Sequence, residues 1–312
     1  MAEQLDTPRA LIEWGAEHFE RAGLVYAHGT DNALDEAAYL VLRALRIDYD
    51  QPDSVLDRVI SPAESRRVRE LLEQRLSSRK PAAYLLQEAW FAGLPFYVDE
   101  RVLVPRSPIA ELIESRFAPW IQPDQVHRVL DMCTGSGCIG IACAHVFPDA
   151  QVDVSDISTD ALAVATENIR RHQLTERVSA IESDLFDALQ GRSYDIIVVN
   201  PPYVPSEEQQ TLAPEFEHEP SVGLFAGREG LDIVVEILCH AGNYLNPHGI
   251  LVVEVGNTQD LLAQRFPGVP FMWFDFEYGG TGVFMLDARQ LRQYRQDFQQ
   301  AAEQLSQRTQ QK

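Results

Sequence analysis

The sequence predicts an α/β fold, in which a mostly parallel sheet covered by helices on both faces follows a small helical domain. From residue 128 onward, short apolar segments that suit strands alternate with helical segments. This alternation is typical of a parallel sheet, because each parallel crossover needs a connecting helix. Before residue 90 the apolar residues recur at helical spacing instead. We therefore predict a helical domain over residues 1–90 and an α/β domain over residues 111–290.

Two segments of the N-terminal region combine an apolar stripe with a signal for the start of a helix. Residues 34–45 carry apolar side chains at helical spacing and follow Thr30-Asp31-Asn32, whose side chains can cap a helix. Residues 61–79 open on Ser61 and Glu64, which have the spacing of a capping box. Both segments are predicted to be helices of the N-terminal domain.

Between the two domains the spacing of apolar residues changes from helical to alternating. Residues 91–106 read as two short strands about the polar turn Asp99-Glu100. We predict a β-hairpin linker over residues 91–110.

The α/β region contains five candidate strands and two candidate helices between them. The strands are residues 128–132, 151–156, 178–182, 195–199 and 250–255, and the helices are residues 161–172 and 231–245. Residues 271–276 and 282–286 flank Gly279-Gly280 and suggest a terminal antiparallel pair. The polar tail, residues 291–312, is expected to be a solvated helix or a frayed end.

Composition limits the class of protein. The 312 residues are 45% hydrophobic, enough to bury the cores of two domains. No run of 18 apolar residues is present, and the acidic N-terminus lacks the order of a secretion signal, so we expect a cytoplasmic protein. Three of the four cysteines are five residues apart, which matches no common zinc pattern, and no metal site is expected.

The chain is strongly acidic. Its formal net charge is -21, and the residues after position 110 hold 29 acidic and 13 basic side chains. Such a surface repels bare nucleic acid and attracts basic partners, although solubility alone also explains an acidic surface.

A glycine-rich segment follows the first strand of the predicted sheet. Gly135, Gly137 and Gly140 have the G-x-G-x-x-G spacing of a dinucleotide-binding loop, a pattern that by itself permits a nicotinamide enzyme. Asp131, at the strand end, argues against a dinucleotide. A carboxylate there opposes a phosphate, whereas it suits S-adenosylmethionine, which carries an ammonium and a sulfonium and no phosphate.

Two further acids follow the next two strands. Asp156 ends the second strand and can accept hydrogen bonds from both ribose hydroxyls. Asp184 and Leu185 follow the third strand, where they could offer a carboxylate to the adenine amino group and an apolar wall to its ring. Each acid taken singly also suits a turn or an N-cap. Three acids at three consecutive strand ends favour a ligand site, because ligands bind at the carboxyl ends of such strands.

The most specific feature is the turn Asn200-Pro201-Pro202-Tyr203, which follows the fourth strand of the sheet. Prolines have no N–H, so their carbonyls remain free acceptors on a rigid turn, and Asn200 adds a side-chain acceptor. These acceptors suit a planar –NH₂ group and can aim its nitrogen at a methyl donor, while Tyr203 can pack against the flat target. An amide nitrogen is a weak nucleophile, so catalysis here should depend mainly on positioning and on stabilising developing charge.

Together these residues resemble a family of class I methyltransferases, the N5-glutamine protein methyltransferases. The shared features are an Asp-x-Gly/Cys-Thr-Gly-x-Gly loop, an acid ending the second strand, an Asn-Pro-Pro-Tyr turn and an upstream Val-Leu-Val/Ile-Pro-Arg segment. They stand here at residues 131–137, 156, 200–203 and 102–106. The resemblance extends over nearly the whole chain, because the helical domain and the hairpin are also features of this family. It implies a Rossmann-like sheet of seven strands and a helical domain, residues 1–90, that recognises the substrate.

The resemblance also implies roles for individual residues. S-adenosylmethionine would be held by a set of loop and strand-end residues, namely Asp131, Cys133, Thr134, Gly135, Ser136, Gly137, Asp156, Asp184 and Leu185. The substrate amide would be held by the turn, namely Asn200, Pro201, Pro202 and Tyr203, of which Asn200, Pro201 and Tyr203 would be catalytic. Release-factor enzymes often have an aromatic residue where Leu185 stands.

Within this family the sequence looks like the branch that methylates a glutamine of large-subunit ribosomal protein three. The other branch methylates peptide release factors and usually has Pro-x-Thr-Glu after the Pro-Arg pair and glycine in place of Cys133. Here Ser107-Pro108 follows that pair. The implied partner is therefore a basic ribosomal protein, with no direct nucleic acid and no membrane.

Two rival functions use the same residues. A DNA or RNA amino-methyltransferase needs a similar turn but should have a basic groove. The five acids after the turn, Glu207, Glu208, Glu215, Glu217 and Glu219, instead suggest an acidic rim that favours a Lys/Arg-rich protein, although a solvated loop explains them equally well. The other rival, an assembly factor that binds ribosomal protein without catalysis, does not account for intact Asp131, Asp156 and Asn200.

Overall fold

A computed structural model describes residues 5–48 and 50–310, and the described residues form two compact units. The first, called here the helical unit, comprises the described residues of Met1–Ala89 together with Val98–Glu100 and Ala213–Glu219. The second, called the sheet unit, comprises the described residues of Trp90–Tyr97, Arg101–Leu212 and Pro220–Lys312. No described helix has both the length and the apolar composition that a membrane span requires. The assignment of substrate recognition to the N-terminal domain stays a prediction.

The helical unit is built from four helices in its N-terminal stretch. They are α1 (Pro8–Arg21), α2 (Ala33–Leu45), α3 (Pro62–Ser78) and α4 (Ala82–Leu86). Both predicted starts are confirmed, because the Asn32 side chain caps α2 and Ser61 with Glu64 forms a reciprocal capping box on α3. Buried side chains of the first three helices, such as Leu40 and Leu72, supply the apolar core.

A charged cluster is buried inside the helical unit, among residues far apart in the sequence. The Arg75 side chain is fully buried and pairs with Glu36 of α2. Glu215, in the short 3-10 helix Pro214–His218, is also fully buried, pairs with Arg79 at 2.7 Å and accepts a hydrogen bond from the Val25 backbone N–H at 3.1 Å. Buried charges are retained only when paired in this way. The segment Ala213–Glu219 is thus held in the helical unit by charge as well as by packing.

The two-stranded hairpin exists, but its turn is not the one we predicted. Strand β1 (Ala89–Phe91) pairs with β2 (Leu94–Phe96), and the turn is Ala92-Gly93. Both turn residues have positive φ, 47° and 71°, as a tight two-residue hairpin requires. The chain does turn at residues 100–101, but residues 97–106 form no strand, so the prediction of two strands about Asp99-Glu100 was wrong. Ala92 gave no turn signal, because alanine rarely adopts positive φ.

The sheet unit contains a seven-stranded mixed sheet in the order β5-β4-β3-β6-β7-β9-β8. Its strands are β3 (Arg128–Met132), β4 (Gln151–Asp156), β5 (Val178–Glu182), β6 (Tyr194–Val199), β7 (Leu245–Glu254), β8 (Met272–Trp273) and β9 (Val283–Asp287). The first five are parallel, and β9 runs antiparallel to both β7 and β8. The predicted α/β class, the seven strands and the terminal antiparallel pair are confirmed.

Helices cover both faces of this sheet. They are α5 (Ile109–Glu114), α6 (Cys138–Val146), α7 (Thr159–Arg171), α8 (Ser221–Leu224), α9 (Asp232–His240), α10 (Gln259–Arg265), α11 (Ala288–Gln293) and α12 (Arg295–Gln310). Side chains of β6 alternate between two cores, with Ile196 packed in the core of α5–α7 and Ile197 in the core of α9–α12. The central strands are therefore apolar on both faces, which explains their continuous apolar sequences.

The C-terminal residues are helical, as expected, but one side of these helices is buried. Leu291 of α11 and Phe298 and Ala301 of α12 lie in the same core as α9. The expectation of a solvated or frayed tail was therefore wrong for these residues. The many glutamines and arginines of the tail concealed an apolar stripe, and this stripe covers one face of the sheet.

Helix α6 lies unusually close to strands β3 and β4 at Gly140. A Cβ atom built at Gly140 would fall 2.4 Å from Val154 Cγ1 and 3.0 Å from Asp131 Cβ. Only glycine allows this approach, which is the close helix–strand packing expected of the third glycine in the loop pattern.

Replacing Gly140 by alanine should therefore destabilise the protein. We expect Gly140→Ala to lower the free energy of unfolding by about 1–3 kcal/mol, because Val154 belongs to the buried core and has no room to move. Chemical denaturation measures the change. Gly268→Ala is the matched control, since a Cβ there meets no atom within 4 Å. Equal stabilities of the two variants would contradict the close approach.

Candidate active site

The candidate site lies where the strand order of the sheet reverses. The chain passes from β3 outward through β4 to β5, and then returns to place β6 on the other side of β3. Ligands of open α/β sheets bind at the carboxyl ends of the strands beside such a reversal. The sheet register brings the last paired residues of β3, β6 and β7 level, and the residues after them are Cys133, Asn200 and Glu254. The glycine loop and the Asn-Pro-Pro-Tyr turn are thus neighbours.

The glycine loop, residues 133–137, turns sharply between β3 and α6. Cys133, Gly135 and Gly137 all have positive φ, of 57°, 55° and 82°. The Thr134 N–H donates to the Ser155 carbonyl at 3.0 Å, and the Ser136 carbonyl accepts from Asn168 Nδ2 at 2.8 Å, which fixes the loop on both sides. A Cβ at Gly135 would meet no atom within 4 Å. The loop backbone at Gly135 therefore borders open space, as a ligand-binding loop requires.

Asp131 fixes the glycine loop through hydrogen bonds to its side chain. Its side chain is fully buried, and Oδ2 accepts hydrogen bonds from the Gly140 N–H at 2.8 Å and from the Thr134 hydroxyl. Burial raises the pKa of Asp131 to about 7, although these two hydrogen bonds lower it in part. The other oxygen, Oδ1, is buried and has no hydrogen-bond partner among the described residues. This free acceptor suits a cationic group.

The predicted ribose and adenine residues follow the next two strands. Asp156 Oδ2 accepts from the Gly135 N–H and Oδ1 accepts from the Ser158 N–H, both at 2.9 Å, so this carboxylate is tied to the glycine loop. Burial raises its pKa. Asp184 is exposed after β5, and Leu185 is partly buried with a positive φ of 45°. The structure brings Asp156 to the loop directly, whereas Asp184 lies two strands away from β3.

The Asn-Pro-Pro-Tyr turn leaves the sheet at the end of β6. Pro201 and Pro202 are buried, while Asn200 and Tyr203 are partly buried. Two glycines pack against Tyr203: a Cβ at Gly230 would fall 2.1 Å from the Tyr203 carbonyl oxygen, and one at Gly256 would fall 2.6 Å from Tyr203 Cε2. The turn is therefore held rigidly by its neighbours, as positioning of a substrate requires.

Two residues at this site were missed by sequence reasoning. Glu254, at the end of β7, is only 5% exposed and accepts the Tyr203 hydroxyl at 2.9 Å on Oε1. Its Oε2 accepts the hydroxyl of buried Ser107 at 2.5 Å. The available signal was an acid directly after four apolar residues, 250–253, near the end of a predicted strand, since an acid at a strand end also identified Asp156. The Tyr203 hydroxyl is thus engaged by Glu254, and the packing of the Tyr203 ring against the substrate stays a prediction.

A cavity of about 350 Å³ opens beside Tyr203, on the side toward α10. Its walls are Tyr203, Val204, Pro205, Glu208, Arg228, Glu229, Asn257, Thr258 and Leu261. The wall segment after the turn is held in place, because the Ala226 N–H donates to the Val204 carbonyl at 3.1 Å and the Ser206 N–H donates to the Gly227 carbonyl at 2.9 Å.

Two of the five acids that suggested an acidic rim are not at the surface. Glu215 and Glu219 are buried in the helical unit, Glu215 in its ion pair with Arg79 and Glu219 at 3.6 Å from the His28 ring. Only Glu207, Glu208 and Glu217 are exposed. The prediction of five surface acids was wrong for the two buried ones, because a run of acids in sequence does not reveal which of them meet buried arginines.

No cluster of three or more potential metal ligands occurs among the described residues. The cysteines behave as buried packing residues: Cys138, Cys143 and Cys239 are buried and unpaired, and Cys133 is partly buried in the loop. Burial raises the pKa of Cys138 to about 12 and that of Cys239 also to about 12, which makes both poor nucleophiles and poor ligands.

The fold and the site together define a class I methyltransferase, and comparison with known proteins agrees. The family model described as "Methyltransferase small domain" matches residues 116–219. That range begins before β3 and ends after the Asn-Pro-Pro-Tyr turn, so it contains both motifs of the site.

Three curated relatives are similar to this chain over nearly their whole length. Each is named ribosomal protein uL3 glutamine methyltransferase. The Francisella tularensis protein is 45% identical over 94% of this chain and 94% of its own length. The Xanthomonas campestris protein is 48% identical over 93% of this chain and 94% of its own length. The Neisseria meningitidis protein is 45% identical over 93% of this chain and 96% of its own length. The chain belongs to the family of ribosomal protein uL3 glutamine methyltransferases. The resemblance found in the sequence is thereby confirmed.

The buried Asp131 carboxyl makes a prediction about stability and pH. Its pKa in the folded protein, about 7, lies above the ordinary value of 3.8, so its neutral form stabilises the fold. That stabilisation is complete below about pH 3.8 and is lost as pH rises through about 7. Asp131→Asn keeps a carbonyl acceptor for Gly140 but cannot ionise. Between pH 4 and 7 we expect its free energy of unfolding to fall by at least about 1 kcal/mol less than that of the protein with Asp131. Urea unfolding at several pH values measures it.

The control for this experiment is Asp184→Asn, the same substitution at an exposed carboxyl. It should follow the pH dependence of the unchanged protein. The same pH dependence in Asp131→Asn and in the control would contradict the burial of an ionisable Asp131.

Proposed function

We propose that this protein transfers a methyl group from S-adenosylmethionine to the side-chain amide nitrogen, N5, of a glutamine in ribosomal protein uL3. The observation that carries the proposal is the adjacency of the glycine loop and the Asn-Pro-Pro-Tyr turn at the strand-order reversal. The names of the relatives, each 45–48% identical, supply the substrate.

The residues of the loop fit S-adenosylmethionine better than a dinucleotide. The unpartnered Oδ1 of Asp131 is a buried acceptor that a cation satisfies and that a phosphate would oppose. The open space at Gly135 lets the cofactor approach the backbone. Asp156, held against Gly135, accepts the ribose hydroxyls. The remaining loop residues Cys133, Thr134, Ser136 and Gly137 shape the backbone, and Asp184 with Leu185 borders the adenine.

When bound, the cofactor supplies an electrophilic methyl group on a sulfonium. The chain's own contribution is to hold the glutamine amide still. The side-chain carbonyl of Asn200 and the backbone carbonyl of Pro201 accept the two amide protons, so that the nitrogen faces the loop. As positive charge develops on that nitrogen, these acceptors stabilise it without having to reorient, since Pro201 is buried and fixed. Pro202 and Tyr203 keep the turn rigid.

Ribosomal protein uL3 is favoured over a peptide release factor because the three relatives described above carry the uL3 name, and because Ser107-Pro108 departs from the release-factor pattern. A protein substrate is favoured over a nucleic acid by the net charge of -21 and the exposed Glu207, Glu208 and Glu217. We infer accordingly that the partner is a basic ribosomal protein, free of direct nucleic-acid contact, and that the reaction takes place in the cytoplasm.

The decisive experiment is methyl transfer from isotopically labelled S-adenosylmethionine in three parallel assays. The acceptors are purified uL3 from a strain that lacks this enzyme, unmodified release factor from a strain that lacks its methyltransferase, and single-stranded DNA or RNA. We expect label in uL3, at one glutamine located by mass spectrometry. Label in the release factor or the nucleic acid, with none in uL3, would overturn the proposed substrate.

Removing the Asn200 acceptor should separate turnover from cofactor binding. We expect Asn200→Ala to lower kcat about 100-fold or more, because a preorganised acceptor of developing charge is lost, while the cofactor Kd changes less than about threefold. Asn243→Ala, an exposed asparagine between α9 and β7, is the matched control and should change neither quantity. A comparable loss of cofactor affinity in Asn200→Ala would assign the turn a different role.

Removing Asp156 should affect cofactor affinity first. We expect Asp156→Ala to weaken the cofactor Kd by roughly 10-fold to 100-fold, because two charge-assisted hydrogen bonds to the ribose are lost. Calorimetric titration with S-adenosylmethionine measures it. Asp149→Ala, an exposed aspartate just before β4, serves as the control. An unchanged Kd in Asp156→Ala would refute the ribose assignment.

A further inference from the structure

We propose that Glu254 is a positioning residue for methyl transfer: through its hydrogen bond to the Tyr203 hydroxyl, it fixes the Asn-Pro-Pro-Tyr turn that holds the substrate amide. The inference rests on the proposed function, because it assigns a role to Glu254 in the same reaction. Nothing in the motif itself includes this residue, which lies 51 positions after Tyr203 in the sequence.

The geometry joins three separate parts of the sheet unit at one carboxyl group. Glu254 ends β7, Tyr203 belongs to the turn after β6, and Ser107 lies just before α5. The Tyr203 hydroxyl donates to Oε1 at 2.9 Å and the Ser107 hydroxyl donates to Oε2 at 2.5 Å. Each carboxylate oxygen therefore serves one hydroxyl, and the orientation of the carboxyl group is determined from both sides.

Packing leaves the Tyr203 ring little alternative to this position. Its edge lies so close to Gly256 that a Cβ there would fall 2.6 Å from Cε2, and its backbone carbonyl lies as close to Gly230. Gly256 is in turn packed against Gly282, where a Cβ would fall 2.2 Å from the Gly256 carbonyl oxygen. The contact with Gly256 restricts the Tyr203 ring at its edge, and the hydrogen bond to Glu254 restricts it at its hydroxyl. The position of the Tyr203 side chain is therefore fixed at two points.

The burial of Glu254 argues for a task that outweighs its cost. A carboxyl group that is 5% exposed is desolvated, and burial raises its pKa, with the hydrogen bonds from Ser107 and Tyr203 lowering it in part. A well-packed apolar residue would serve folding alone at least as well. A carboxyl that accepts a hydroxyl from the substrate-binding turn instead fixes the turn to the sheet, where small displacements matter most for catalysis.

Two substitutions separate positioning from proton transfer. Glu254→Gln keeps a carbonyl acceptor for one hydroxyl and an amide donor for the oxygen of the other, so the network survives without the charge. Glu254→Ala removes both contacts. For a positioning role we expect Glu254→Ala to lower kcat about 10-fold to 100-fold with the cofactor Kd within about threefold, and Glu254→Gln to restore kcat to within about threefold of the unchanged protein.

The contrary outcomes are distinct. If Glu254→Gln loses as much turnover as Glu254→Ala, the charge of the carboxylate matters and the positioning role is overturned. If Glu254→Ala keeps full turnover, Glu254 has no role in the reaction. General loss of stability is controlled by Phe298→Leu, a cavity-forming change in the opposite core. Its thermal midpoint should fall with no change in kcat per folded molecule.

A spectroscopic measurement keeps this test independent of the substrate. With tyrosine labelled at the ring carbon that bears the hydroxyl, the Tyr203 resonance is identified by its loss in Tyr203→Phe. We expect that resonance to shift in Glu254→Ala and to stay close to its original position in Glu254→Gln. An unmoved resonance in Glu254→Ala overturns the contact itself, whereas failure of uL3 to accept label while the resonance shifts rejects only the proposed substrate.

Discussion

The buried carboxyl of Asp131 is the constraint on which the rest of the site depends. Because its Oδ2 accepts both the Gly140 N–H and the Thr134 hydroxyl, one side chain joins the end of β3, the loop and the first turn of α6. This is possible only because Gly140 has no Cβ. The helix can then pack directly on β3 and β4, and the loop between them has a single path. Asp156 holds the same loop from the neighbouring strand, so cofactor-binding geometry follows from strand packing.

Around this constraint, the parallel register carries the second half of the site. Since β3, β6 and β7 end level with one another, the loop, the turn and Glu254 meet without any long connection. The strand pairing that builds the core therefore also sets the separation between the glycine loop and the Asn-Pro-Pro-Tyr turn. A substituted residue far from either motif can alter catalysis if it shifts one strand relative to another.

Much of this could be predicted from the sequence, and the failures share a physical reason. The central strands, the glycine loop and the Asn-Pro-Pro-Tyr turn depend on local chemistry, such as continuous apolar runs and residues without an N–H, so their positions were predicted correctly. The burial of Glu215 and the contact of Glu254 with Tyr203 depend on partners distant in sequence. A carboxylate looks the same in sequence whether water, an arginine or a tyrosine hydroxyl satisfies it.

The burial of Glu215 has a consequence for how this protein can be divided into fragments. The helical unit is completed by residues 213–219, which follow the Asn-Pro-Pro-Tyr turn in the sequence, and Glu215 is satisfied there by Arg79 and the Val25 N–H. A fragment that begins after residue 89 keeps the acid and loses its partners. Residues 213–219 must therefore accompany the N-terminal residues if the helical unit is to keep Glu215 paired. This unit is continuous in the structure although its residues come from separate parts of the sequence.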